Sequence, residues 1–279
     1  MIFHCPICKR SMEEERNRCF CSKGHSYDRA AEGYFHLLPS NKMHSKQPGD
    51  SKQMVRSRRD FLEQGYYQLF SDQLNQLIVD HFSQVSGQGC PAVLLDAGCG
   101  EGYYTGRMAQ ALQAAGCAVE VAGFDISKFA VKVAAKRYPN IEFAVASMFA
   151  IPVADQAADC LVNVFAPIVE EEFARVLRPG GGMILAVPGE RHLFGLKEIL
   201  YENPYENEHR KTEYPGFSFV ERVPVPGKLL LESPKVIQDL FAMTPYYWKT
   251  PVEGSLRLQE TTRLETEIQF DFLVYRRDF

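Results

Sequence analysis

The run Val93-Leu94-Leu95-Asp96-Ala97-Gly98-Cys99-Gly100-Glu101-Gly102 constrains this chain more than any other stretch. An apolar run ending on an acid, followed by alternating glycines, predicts a buried parallel strand that feeds a tight turn and then a helix. Glycines at such a turn let a ligand come close to the free N–H groups of a helix N-terminus. About 25 residues past the turn, Val119-Glu120-Val121-Ala122-Gly123-Phe124-Asp125 predicts a second strand that also ends on an acid. A carboxylate there can accept both hydroxyls of a ribose.

The alternation continues. Strands are predicted over Ile141–Ala146, Asp159–Phe165 and Met183–Val187, with a helix and turn over Phe173–Gly181 leading into the last of them. Glu265–Tyr275 alternates apolar and polar residues and predicts a final antiparallel edge. With 279 residues, 46% of them apolar, the chain can bury one large core and still carry a small appendage. No apolar run approaches the ~18 residues of a spanning helix. The first residues lack the apolar core of a secretory leader, so no membrane partner and a cytoplasmic location are expected.

Eight cysteines in a cytoplasmic chain point to metal or buried thiols rather than disulfides. Four of them crowd the start. Cys5-Pro6-Ile7-Cys8 can bring two thiolates to one ion across a tight turn. Cys21-Ser22-Lys23-Gly24-His25 can bring a sulfur and an imidazole, with Gly24 relaxing the bend. The twelve residues between Cys8 and Cys21 suit a short hairpin. Cys5, Cys8, Cys21 and His25 therefore read as a closed, structural Zn2+ site of ribbon type. Cys19 competes with Cys21 for the third position, and Cys21 has the cleaner spacing to His25. Tyr34–Pro39 is expected to close the ribbon, which makes residues 1–39 a metal-held module.

Net charge is −4, which by itself argues against a polyanionic partner, but it is unevenly spread. Residues 1–60 hold 12 Lys/Arg against 7 Asp/Glu, so an acidic body carries a basic front. Residues 40–65 read as a basic helical connector. Asp50 or Ser51 would cap a helix running through Phe61 and Leu62, and a second helix follows from Gln68 to Phe82. Lys42, Lys46, Lys52, Arg56, Arg58 and Arg59 are the candidate phosphate contacts; a solvated helix face is the plainer reading.

The Gly-rich turn and the acid at Asp125 resemble those of class I, Rossmann-like S-adenosylmethionine (SAM) methyltransferases over roughly residues 66–279. A nicotinamide-binding fold also has such turns, but its fingerprint places two residues before the third glycine, and here there is one. The resemblance implies an α/β fold with a seven-stranded, mostly parallel sheet. It implies that Gly98, Gly100 and Gly102, with Tyr103 closing the turn, wrap the methionine part of SAM. Asp125 would hold the ribose, Asp96 the loop or the ammonium group, and Ser147 and Met148 would flank the adenine. Phe165, after the fourth strand, would stack on the acceptor base, although core packing suits it equally.

The order of the metal cluster, Pro48-Gly49-Asp50-Ser51, Arg56–Tyr67, the Gly-rich turn, Phe165-Ala166-Pro167 and Pro188–Glu198 resembles one family more closely: the zinc-containing bacterial 23S rRNA (guanine-N1)-methyltransferases. That resemblance implies methyl transfer from SAM to N1 of one guanine in a hairpin of 23S rRNA, by a homodimer. In one subfamily the modification confers resistance to certain macrolides. Tyr67 and His192 match positions near SAM, and His192 and Glu190 are the candidates to remove the guanine N1 proton. Two other classes stay in play: a small-molecule methyltransferase, which the basic front disfavours, and a non-catalytic zinc-dependent RNA-binding protein, which the intact turn disfavours.

Overall fold

The computed structural model describes residues 1–39, 48–85, 91–208 and 211–279. Lys42 and Lys46 lie outside the described residues. The front end folds into a three-stranded antiparallel sheet: β1 (Met12–Glu15), β2 (Arg18–Cys21) and β3 (Ser26–Asp28). A short strand, β4 (Phe35–His36), follows. Helix α1 (Lys52–Glu63) is capped by Ser51, whose hydroxyl accepts a hydrogen bond from Met54 N. Helix α2 (Gln68–Val85) runs three residues beyond its predicted end and buries Phe70, Leu74, Ile78 and Phe82.

The body alternates strand and helix: β5 (Ala92–Ala97), α3 (Tyr103–Ala114), β6 (Val119–Asp125), α4 (Lys128–Arg137), β7 (Glu142–Val145), β8 (Ala158–Val164), α5 (Glu170–Val176) and β9 (Leu177–Pro188). Then come α6 (Phe194–Leu200), β10 (Phe217–Leu231), α7 (Pro234–Ala242), α8 (Val252–Glu260) and β11 (Leu264–Arg277). Among the described residues the sheet order is β10-β11-β9-β8-β5-β6-β7-β4. Strands β4 to β9 pair in parallel, while β11 is antiparallel to both β9 and β10. The chain winds outward from β5 in both directions, so the crevice of this doubly wound sheet opens at the C-terminal end of β5. Near-continuous apolar runs form the central strands because helices cover both of their faces.

Among the described residues, β5 to β11 make up the seven strands expected of the body, and β4 adds an eighth at the edge. Phe35 bridges Arg29 of the front, as a closing strand would, but the Phe35–His36 strand also has a second partner. It pairs in parallel with Ala144 and Val145 at the edge of the large sheet. The front end is further stitched on by the Glu142 carboxylate, which accepts hydrogen bonds from Ile2 N and Phe3 N, and by a bond from His4 N to Pro152 O. Phe3, Cys19 and Phe35 thereby share one buried cluster with Leu95, Phe124 and Leu161. No helix among the described residues is long and apolar enough to cross a membrane.

Candidate active site and metal centre

Two reversals of the chain build the metal centre. Lys9 N bonds back to Cys5 O, and Gly24 N to Cys21 O, so each ligand pair curls around one point. Gly24 has a positive φ of 82°, which the second curl needs. The Sγ atoms of Cys5, Cys8 and Cys21 and a ring nitrogen of His25 all lie within 4.8 Å of one another. His25 Nδ1 is 3.4 Å from Cys5 Sγ and 3.3 Å from Cys21 Sγ, and Cys8 Sγ is 3.5 Å from Cys21 Sγ. Those edges match a tetrahedron around Zn2+, whose bonds to sulfur are about 2.3 Å.

The protonation states suit a metal as well. Burial pushes the Cys21 thiol up, but hydrogen bonds from the Lys23 backbone, Cys8 and His25 outweigh it and bring it to about 6. Tyr27 OH lies 3.3 Å from Cys5 Sγ, where it can orient that sulfur from outside the ligand set. Cys19 shares the buried face of β2 with Cys21 but lies outside the cluster. It is buried against Met12 Sδ at 3.7 Å, and burial, with Glu14 nearby, pushes it up to about 11. It is a core thiol and not part of the cluster.

At the second site, Gly98, Gly100 and Gly102 all have positive φ (88°, 54° and 81°). A side chain at Gly98 would meet Ala166 Cβ at 2.5 Å, so the turn is fixed against the end of β8 by close backbone approach. Gly102 N-caps α3, where Tyr103 begins with its ring against Tyr104 and under Arg107. Asp96 is buried, and Thr105 donates to its Oδ2 at 2.5 Å while Oδ1 has no partner. Burial pushes this carboxyl up to about 7, with Asp125 and Glu101 adding to the rise. Glu101 is also buried, its Oε2 lacks a hydrogen-bond partner, and burial raises its pKa. Asp125 accepts from Gly100 N through Oδ2 (3.1 Å) and from Ser127 N through Oδ1 (2.7 Å), which ties β6 to the turn. Met148 is buried, and its methyl group lies 3.4 Å from the position of a Cβ at Gly98; Ser147 Oγ accepts from Phe149 N.

These residues fit SAM. Orphaned carboxylate oxygens at a Gly-rich turn are costly when empty-handed and stabilising beside a ligand that carries a sulfonium and an ammonium group. Glu101 was not anticipated from sequence; its signal was an acid held between two glycines.

The segment after β8 faces an aromatic cluster. Phe165 follows β8 with φ 53°, a left-handed backbone that is costly for a large side chain, and is 45% exposed. Its ring stacks on Phe70 (centroids 5.7 Å, 19°) and faces His192 (6.2 Å, 25°). Buried Tyr67 packs on Phe61 and Phe270 and lies 6.3 Å from His192. His192 Nδ1 accepts a hydrogen bond from Gln269 N at 3.3 Å. That bond places the ring proton on Nε2. Burial, with Lys197 nearby, pulls the imidazole down to about 3. His192 is therefore a neutral N–H donor, ill suited to the proton-accepting role expected of it. Glu190 lies on the same turn and offers carboxylate oxygens. Lys197, fully buried and also unanticipated, donates to Tyr205 O and to Asn207 Oδ1, and Asn207 in turn bonds Gly189 O; the segment after α6 is thus tied over this strand end.

The basic front divides. Arg56 is 76% exposed on its side chain, 3.7 Å from Asp60, and Arg59 pairs with Asp60 at 2.8 Å. Lys52 is exposed. Arg58 departs from the expected phosphate contact: it turns inward, with Nη1 2.5 Å from Asp50 Oδ2 and 3.7 Å from Glu101 Oε2.

A doubly wound sheet, a Gly-rich turn at its switch point and an acid ending the next strand define a class I SAM-dependent methyltransferase. A family model described as "Methyltransferase domain" matches residues 91–233, and a zinc-ribbon model described as "RlmA, N-terminal" matches residues 3–46. The chain is 32% identical to the 23S rRNA (guanine(748)-N(1))-methyltransferase of Streptomyces fradiae, over 98% of this chain and 95% of that protein. It is 28% identical to a provisionally named 23S rRNA (guanine-N(1)-)-methyltransferase, YxjB, of Bacillus subtilis (strain 168), over 98% and 96%. The chain belongs to the zinc-containing 23S rRNA (guanine-N1)-methyltransferase family.

Proposed function

We propose that this protein transfers a methyl group from SAM to N1 of a guanine in a hairpin of 23S rRNA. The alignment with a protein named for that reaction supports this most, because it runs through both the metal-held front and the SAM-binding body. When bound, SAM supplies an electrophilic methyl group on sulfur. The chain's own residues do the rest. Gly98, Gly100 and Gly102 carry no side chains and so let the methionine end approach the turn, whose own N–H groups donate to Phe124 O, Asp125 Oδ2 and Cys99 O, and Asp125 presents its carboxylate to the ribose. The orphaned oxygens of Asp96 and Glu101 take the ammonium group.

Guanine N1 carries a proton and is tied up in a paired base, so the base must be unpaired or flipped, at a cost of about a few kcal/mol. Phe165 provides an exposed ring on which such a base can stack, held in place by Phe70 and His192. As N1 loses its proton, negative charge builds on the base. Glu190 is assigned as the proton acceptor, and His192 as a donor that holds the base edge through Nε2–H.

Residues 1–39 and the connector 40–65 grip the RNA, while residues 66–279 carry out the transfer. Hairpins are read by shape and by unpaired bases, so a rigid head beside the cleft suits this substrate. Cytoplasmic placement beside the ribosomal RNA and pairing of two chains complete the reading. Primer extension on 23S rRNA from cells with and without the gene tests it. A methyl group on N1 blocks pairing, so a stop at one guanine is expected only when the gene is present; identical patterns would sink the proposal.

A further inference from the structure

Helix α1 carries three arginines, and one of them points the wrong way for an RNA contact. Arg58 lies three and four residues from Val55, Met54, Phe61 and Leu62, the buried face of the helix. Its side chain is only 24% exposed. The guanidinium reaches the backbone of the Gly-rich turn: a Cβ at Gly100 would stand 3.6 Å from Nη1. Its contacts with Asp50 and Glu101 both use Nη1. Nε and Nη2 have no hydrogen-bond partner among the described residues.

The charges around the turn show what such a fork is for. Asp96, Glu101 and Asp125 are three acids, and two of them keep a buried oxygen without a hydrogen bond. Acids alone would hold an ammonium group and repel the carboxylate attached to the same carbon. A zwitterionic amino-acid end needs one cation beside them, and Arg58 is the cation facing Glu101 and Asp125. We propose that Arg58 binds the carboxylate of the cofactor's methionine end, so that helix α1, sequentially part of the basic front, completes the SAM site. A planar fork suits a carboxylate better than a point charge does. The assignment rests on the SAM reading above and names a residue which that reading left with the RNA.

The test is calorimetric binding of SAM and of decarboxylated SAM, which differ only in the carboxylate, to the full-length zinc-loaded protein. The wild type should prefer SAM by about 10- to 100-fold, the worth of hydrogen bonds to a charged group. In Arg58→Met the preference should shrink to within about threefold, because the variant loses affinity for SAM alone. Arg58→Lys should fall between, and it carries the test if the Met variant fails to fold. A wild type that binds both ligands equally, or variants that keep the full preference, would overturn the assignment while leaving the SAM reading intact. A wild type that binds neither would overturn both. Loss of RNA binding with the SAM preference unchanged would return Arg58 to the phosphate backbone.

Discussion

The front and the body of this protein are held together by different means. The three strands of the front have only four, four and three residues, and their chain direction is set by four ligand atoms within 4.8 Å of one another. The body has strands of up to fifteen residues and large buried clusters on both faces of its sheet. A metal fixes a short segment through spacing, whereas a core fixes a long one through pattern. The comparison teaches that the front should fail all at once and the body by degrees.

Losing one ligand is the largest expected effect. Structural Zn2+ contributes roughly 10–16 kcal/mol of folding free energy in small domains. Cys21→Ser should take zinc content from one per chain to none and abolish methylation of the rRNA hairpin, while SAM affinity stays within about threefold. Cys19→Ser, two residues away, should keep its zinc and cost only about 1–3 kcal/mol for placing a hydroxyl in an apolar site. Zinc assay and thermal melting separate the two. Loss of zinc from Cys19→Ser would break the ligand assignment, and collapse of SAM binding in Cys21→Ser would show that front and body fail as one unit.

The seam between them gives a smaller effect and sharpens the comparison. Both oxygens of Glu142 accept backbone N–H bonds, from Ile2 and Phe3, at 3.1 Å each. Glu142→Gln keeps one acceptor and turns an NH2 group toward the other donor. The docking should weaken by about 1–3 kcal/mol. Protease cleavage before residue 40 should speed up with zinc still bound; unchanged cleavage would mean that the Phe35–His36 pairing alone holds the front.

Much of this was legible in the chain. Spacing gave the metal ligands, because short knuckles are local. Apolar runs and glycines gave β5 to β9 and the turn, because buried parallel strands read as continuous apolar segments. The second partner of Phe35–His36 was not legible: two residues carry no signal that they also extend a sheet more than 100 positions away. The tautomer of His192 was not legible, because it is set by Gln269 N, 77 residues on. Arg58 and Lys197 could have been found. Each falls in phase with an apolar helical stripe, Val55 and Phe61 for one, Leu193 and Leu200 for the other, where a cation signals a buried partner.

The smallest effect concerns the body alone and depends on pH. Burial holds Asp96 up to about 7 in the folded protein, against about 4 when unfolded. Between those values the folded state binds the extra proton, so this residue's stabilising contribution is present at low pH and is lost as pH rises through 7. An ammonium group beside Oδ1 reverses the preference by favouring the carboxylate. SAM binding should therefore release a proton near neutrality, and affinity should improve by about tenfold from pH 6 to pH 8. Asp96→Asn should flatten that slope while leaving zinc content unchanged, since the head lies outside the network. A wild type whose SAM affinity does not vary with pH would mean that Asp96 serves the loop through Thr105 and does not meet the ligand's charge.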